Sequence, residues 1–155
     1  SLKSVFGDFG RAEHPFFTRR AEQLGVALYD NMEELLPLAD FITVHLPKTD
    51  ETIGMLGPEQ YAAMKDGVIL VNVARGGIVD EAALAAALDA GRLAGAGLDV
   101  FTHEPLEAGN PLLSVREPDR LLLSPHNAWS PVEAIEILVE CIARNIRDFY
   151  TPQNQ

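Results

Sequence analysis

The chain has 155 residues, 47% of them hydrophobic and 23% charged, which fits one globular domain with a sizeable core and excludes a disordered chain. Its net charge of −11 lacks the basic footprint that nucleic acid or an anionic membrane surface requires. The single cysteine, Cys141, allows no internal disulfide and suits the cytoplasm. No apolar stretch reaches the length of a membrane span, and no secretory leader pattern is present. The chain opens on Ser1, as a truncated or partly omitted sequence would. Residues 1–14 are left unassigned, because Gly7-Asp8-Phe9-Gly10 is turn-like but is not a dinucleotide fingerprint. A short helix is expected through Arg20–Gln23, then a brief strand at Val26–Tyr29. Asn31, with Glu34 three residues on, gives a capping-box start to a helix carrying Leu35, Leu36 and Leu38. Phe41–Leu46 reads as a buried strand by length and β-branching, and Pro47–Asp50 as a loop. Gly57-Pro58 opens a short helix through Met64.

Val68–Val73 is the next expected strand. Asp80 then caps a helix with Leu84 and Leu88 on one face, ended by Gly91. A strand over Gly95–Phe101 precedes a long loop, residues 102–120, with three prolines. Leu121–Ser124 is the last strand. Ser130 as N-cap, Pro131 at the first helical position and Glu133 at the third open a long helix, 131–150. That helix presents Ile135, Leu138, Val139, Ile142, Ile146 and Phe149 at helical spacing, with Cys141 inside it read as a core residue. Residues 151–155 form a tail.

Helical patterns separate the apolar runs, so the strands should be parallel and their carboxyl ends should share one edge of the sheet. Open α/β sheets bind ligands at that edge. Three of the runs lead into Arg75, Glu104 and His126. A planar guanidinium can hold a carboxylate and still donate to a ketone oxygen. An imidazole can move a proton near neutral pH, and an adjacent carboxylate favours its protonated form. Each residue also has a plain reading: a surface arginine after a strand, a loop glutamate before proline, a satisfied histidine. Asp99 can equally bond local amides. His45 reads as structural, and Trp129 either lines a pocket or packs. His14 and His103 form no metal-ligand pattern, so no metal is expected.

The stretch VNVARGGIVDEAALAAALDAGRLAGAGLDVFTHEP resembles the NAD-binding domain of the D-isomer-specific 2-hydroxyacid dehydrogenases, which include phosphoglycerate, glycerate and D-lactate dehydrogenases. ADFITVHLPKTDETIGMLG is similar to the same family's preceding strand and loop, and SPHNAWSPVEA to its histidine segment. The resemblance covers roughly His14 to Tyr150. It implies an α/β fold: a mostly parallel sheet with flanking helices, part of a Rossmann-type dinucleotide-binding domain, over residues 15–150. It also implies interconversion of a small 2-keto acid and a D-2-hydroxy acid with NAD, and NADP is not distinguished. Arg75, Glu104 and His126 would be catalytic. Pro47, Val73, Ala74, Arg75, Asp99, His126 and Ala128 would meet the cofactor, with Pro47 near the adenosine and Asp99 at the nicotinamide carboxamide.

Two family features are missing from the sequence. The glycine-rich phosphate loop and the acid that reads the ribose are not recognisable, and no substrate domain is present. On this reading the chain is the later part of a cofactor domain. The alternative is a catalytically silent dinucleotide-sensing or assembly module of the same fold. Without the missing strands Phe41–Leu46 has an open edge, so a homo-oligomer or a rearranged N-terminal cover is expected.

Overall fold

A computed structural model describes residues 15–29 and 31–151. Residues 1–14, His14 among them, lie outside the described part. The elements run α1 (Pro15–Leu24), α2 (Met32–Leu35) with a 3₁₀ turn over Leu36–Leu38, β1 (Phe41–Val44), α3 (Pro58–Ala63), β2 (Val68–Asn72), α4 (Glu81–Asp89), β3 (Leu93–Leu98), β4 (Leu121–Leu123) and α5 (Val132–Tyr150). The strands form one sheet in the order β1-β2-β3-β4, and every neighbouring pair is parallel. The expected α/β architecture is therefore present, and all four strands point their carboxyl ends the same way.

The alternation along β2 explains the layering. Val68, Leu70 and Asn72 are buried, whereas Ile69 and Val71 are half-buried on the opposite face. One core joins Leu70, Ile78, Leu84, Leu88 and Leu93, and α3 packs beside α4. Burying a leucine as fully as Leu84 stabilises the fold by about 1.5–3 kcal/mol. Asp80 accepts from the Ala83 amide at the start of α4, and Gly91, at φ 73°, ends that helix in the left-handed region. The Asn31 and Glu34 side chains and the Glu34 amide form the expected cap of α2. Between β3 and β4 the long loop holds two 3₁₀ turns, Pro111–Ser114 and Pro118–Arg120. The first packs on α4.

Several sequence expectations need correction. The strand at 26–29 reduces to a single bridge residue, Ala27, because no ladder extends it among the described residues. β3 starts at Leu93 and ends at Leu98, so 99–101 already belong to the loop that builds the site. The N-cap of α5 is Pro131, which shifts Glu133 to the second helical position. The Ser130 hydroxyl does not cap; it donates to the Asn127 carbonyl at 2.6 Å. No residue of α5 is buried, and Cys141 is half-exposed rather than core, with its sulfur accepting from Arg144. The amphipathic pattern was correct, but the apolar face of α5 meets no core among the described residues. No described helix is long and apolar enough to cross a membrane.

Candidate active site

The carboxyl edge of the sheet collects the charged groups. Asn72, the last residue of β2, is only 1% exposed. Its amide nitrogen donates to the Arg75 carbonyl at 3.1 Å, and its oxygen accepts from the Ala74 amide at 3.0 Å. One buried side chain thus shapes the turn that presents Arg75. A polar residue inside the run VILVNV was the visible signal for it. Beyond Arg75 the chain passes very close to the next loop. A Cβ on Gly76 would lie 1.7 Å from the Phe101 carbonyl oxygen, so only glycine fits there. The Arg75 side chain is exposed and donates to the Ala74 carbonyl at 2.7 Å. Among the described residues it has no carboxylate partner, which leaves its charge available to a ligand.

Asp99 directly follows β3 and is 3% exposed. Its Oδ1 accepts from the Ser124 hydroxyl at 2.6 Å and the Asn127 amide at 2.9 Å, and its Oδ2 from the Ala128 amide at 2.9 Å. Burial opposes its ionisation, but these hydrogen bonds, with His126 nearby, outweigh burial and hold the carboxyl below its ordinary range. The geometry matches the plain reading of Asp99, an aspartate bonding local amides. Its contribution to the site is to fix the turn of residues 124–128.

That turn holds His126 at φ 53°, an uncommon backbone for any residue but glycine. The His126 amide donates to the Ser124 carbonyl at 3.0 Å, and the Trp129 indole N–H donates to the His126 carbonyl at 3.0 Å. Trp129 therefore braces the turn. The imidazole meets Glu104, whose Oε2 lies 2.8 Å from His126 Nδ1. Glu104 Oε1 accepts from the Phe101 amide at 2.9 Å. The hydrogen bond with His126, then that from Phe101, lower the Glu104 carboxyl below its ordinary range against a weaker opposing effect of burial. With Nδ1 engaged, Nε2 is the ring nitrogen left to face a ligand.

Arg75, Glu104 and His126 line one hollow, together with Gly76, Phe101 and Thr102. A second, more apolar hollow behind the imidazole is lined by Phe101, Leu106, Leu123 and Pro125. Val73 and Ala74 lead into the Arg75 turn, and Val73 is 38% exposed, an apolar surface beside the charged groups. Pro47 is exposed, and its carbonyl accepts from the buried Thr52 hydroxyl at 2.8 Å. The ring of His45 bonds the Thr43 hydroxyl at 2.9 Å, which fits a structural histidine. Among the described residues no cluster could hold a metal ion. The sequence reading overlooked Thr52, Lys48 and Glu81. Glu81, at the start of α4, accepts from the Thr102 amide and hydroxyl and from the Asn110 side chain, and so pins the loop that carries Glu104.

A parallel sheet with a cation, a carboxylate–imidazole pair and an exposed apolar strand end at its carboxyl edge defines an α/β domain of the dinucleotide-binding class. Comparison with known proteins is specific. Residues 11–128 match the model of the D-isomer specific 2-hydroxyacid dehydrogenase, NAD binding domain, and the chain belongs to that family. It is 53% identical over 124 residues to a D-3-phosphoglycerate dehydrogenase of Archaeoglobus fulgidus, covering 79% of this chain and 23% of the relative. It is 40% identical over 161 residues to a glycerate dehydrogenase of Methylorubrum extorquens, covering 96% and 50%. The crystal structure of D-lactate dehydrogenase from Aquifex aeolicus, complexed with NAD and lactic acid, superposes with a TM-score of 0.72 at 29% identity, covering 94% of this chain and 45% of that one. The chain therefore spans a quarter to a half of the length of these relatives.

Proposed function

We propose that this chain forms the nicotinamide and substrate side of the cofactor domain in an NAD(P)-dependent dehydrogenase that interconverts a small 2-keto acid and a D-2-hydroxy acid. The observation that carries the reading is the 2.8 Å contact of His126 Nδ1 with Glu104, facing the same hollow as the Arg75 guanidinium, which has no carboxylate partner among the described residues. Relatives are named for 3-phosphoglycerate, glycerate and glyoxylate, which supports a small 2-keto or 2-hydroxy acid as the substrate class. The exposed Val73 and half-buried Ala74, just beyond β2, fit a flat nicotinamide ring, and the family resemblance puts Pro47 near the adenosine. Ala128 and Asp99 serve the cofactor through the turn they fix. When bound, the nicotinamide supplies the hydride. No glycine-rich phosphate loop occurs in this sequence, so the fit covers the nicotinamide end alone.

The chain's own residues then divide the work. Arg75 holds the substrate carboxylate bidentately and donates to the carbonyl oxygen, where negative charge builds during reduction. His126 gives the proton on Nε2 to that oxygen in reduction and takes it back in oxidation. Glu104 orients the ring through Nδ1. The lone cysteine and the family support the cytoplasm as its location, and β1, a terminal strand of the sheet among the described residues, supports a homo-oligomer. The test is NADH-dependent reduction of 2-keto acids by the full-length protein. Turnover that is lost in Arg75→Ala and His126→Ala supports the proposal. The absence of turnover with every small 2-keto acid would favour a second reading, a dinucleotide-sensing module of the same fold.

A further inference from the structure

Lys48 is a cation for which the catalytic group does not account. It follows Pro47 just beyond β1, and its side chain reaches the hollow that Arg75, Glu104 and His126 line. The ammonium lies over the turn after Arg75. A Cβ built on Gly77 would stand 3.1 Å from Nζ and 3.4 Å from Cε, so the bare glycine, at φ 86°, leaves the lysine its place. Lys48 has no ion pair among the described residues. Glu104, which lines the same hollow, is engaged by His126 and the Phe101 amide, and Glu81 by Thr102 and Asn110.

The backbone beneath Lys48 is fixed. Thr52 is fully buried; its hydroxyl donates to the Pro47 carbonyl at 2.8 Å and accepts from the Thr49 amide at 2.7 Å. The same loop is tied to the arginine turn. The Gly54 amide donates to the Gly77 carbonyl at 2.7 Å, and the Leu56 amide to the Ile78 carbonyl at 3.1 Å. Lys48 and Arg75 thus stand on two segments that are bonded to each other. Only the flexible stem of the lysine can adjust.

We propose that Lys48 is an anion subsite beside Arg75 that takes a second negative group, a phosphate or a carboxylate, at the far end of a 2-keto acid. The inference rests on the dehydrogenase reading above. Two cations with different geometry suit two different anions. The planar guanidinium grips the 2-keto carboxylate, while the compact ammonium on its four-carbon stem meets a more distant group without demanding one orientation. A substrate with two negative ends would bridge them, and one with an apolar or hydroxyl end would use Arg75 alone.

The experiment compares three-carbon 2-keto acids with a phosphate or a methyl group at the far end, and a four-carbon acid that ends in a carboxylate. NADH-dependent reduction is measured on full-length protein as wild type, Lys48→Gln and Lys48→Arg. Losing a hydrogen bond to a charged group should raise KM for the doubly charged acids roughly 10- to 100-fold in Lys48→Gln, far more than for the methyl acid. Lys48→Arg should restore most of the preference, and added salt should weaken it in the wild type. Whichever doubly charged acid loses more identifies the group the lysine meets. Equal loss for all three acids, or a preference untouched by Lys48→Gln, would overturn the subsite. A parallel rise in KM for NADH would mean that the lysine serves the cofactor, which also overturns it. Failure to reduce any of the acids would instead bring down the dehydrogenase reading itself, and the subsite with it.

Discussion

His126 combines a positive φ with a side-chain bond to Glu104, and both features aim one imidazole. A non-glycine residue in that backbone region costs of order 1 kcal/mol or more, which surrounding contacts must offset. Asp99 supplies them through Ser124, Asn127 and Ala128. Catalytic and stability outcomes follow at this scale. Glu104→Gln keeps the shape but exchanges a charged acceptor for a neutral amide, so the ring should be held less firmly and turnover should fall in both directions; steady-state rates of reduction and oxidation would show it. His126→Ala should lose roughly 10²–10⁴-fold in both directions, the usual worth of a positioned acid–base group. The Asp99 carboxyl is lowered in the fold, so its stabilisation is complete above the ordinary carboxylate value of about 3.9 and is lost as pH falls through the lowered one. Asp99→Asn should cost roughly 1–3 kcal/mol at pH 7. Urea unfolding of both proteins should show the gap closing at acid pH. A gap of constant size would mean that the charge of Asp99 is not what holds the turn.

At the scale of elements, the site depends on three loops that leave parallel strands and interlock. Asn72 shapes the Arg75 turn, Thr52 closes the loop after β1, and Glu81 ties α4 to the segment before Glu104. Gly76 is where two of these loops touch, through the Phe101 carbonyl. Gly76→Ala should therefore destabilise the domain by about 3 kcal/mol or more, since backbone rather than a movable side chain must give way. Thermal or urea unfolding measures this, and Gly109→Ala, where no atom lies within 4 Å of the added carbon, is the control.

At the scale of the molecule, two surfaces lack a partner among the described residues. β1 is a terminal strand of the sheet with Phe41 74% exposed, and α5 shows Ile135, Val139, Ile142 and Ile146 to solvent. Open strand edges and large apolar stripes promote association. The chain should self-associate at micromolar concentration in sedimentation experiments, and Phe41→Lys should weaken that association. A monodisperse monomer with wild-type sequence would contradict it. The pyrophosphate of a dinucleotide is normally held at a helix N-terminus reached through a glycine-rich loop. Without that loop the chain alone should bind NADH weakly. Calorimetric binding in the low micromolar range, roughly −8 kcal/mol, would reveal a phosphate site outside the elements described.

The sequence by itself determined the parallel α/β class, because β-branched runs alternated with capped helical segments. It also placed Arg75, Glu104 and His126 at a common edge, because parallel strands with helical crossovers leave no other arrangement for their carboxyl ends. Asn72 stood in the sequence as a polar break in an apolar strand, but its role in shaping the Arg75 turn was not read from it. The tertiary structure decided the rest. Only the hydrogen bonds from Ser124, Asn127 and Ala128 showed that Asp99 holds the 124–128 turn, since an aspartate after a strand looks the same in sequence whether it faces a ligand or an amide. The amphipathic spacing of α5 was plain in the sequence, yet periodicity records which residues share a face and not whether anything covers it. Lys48 came into view only in three dimensions. Its loop and the arginine turn lie 27 residues apart in the chain and are joined by backbone hydrogen bonds, which sequence spacing cannot encode.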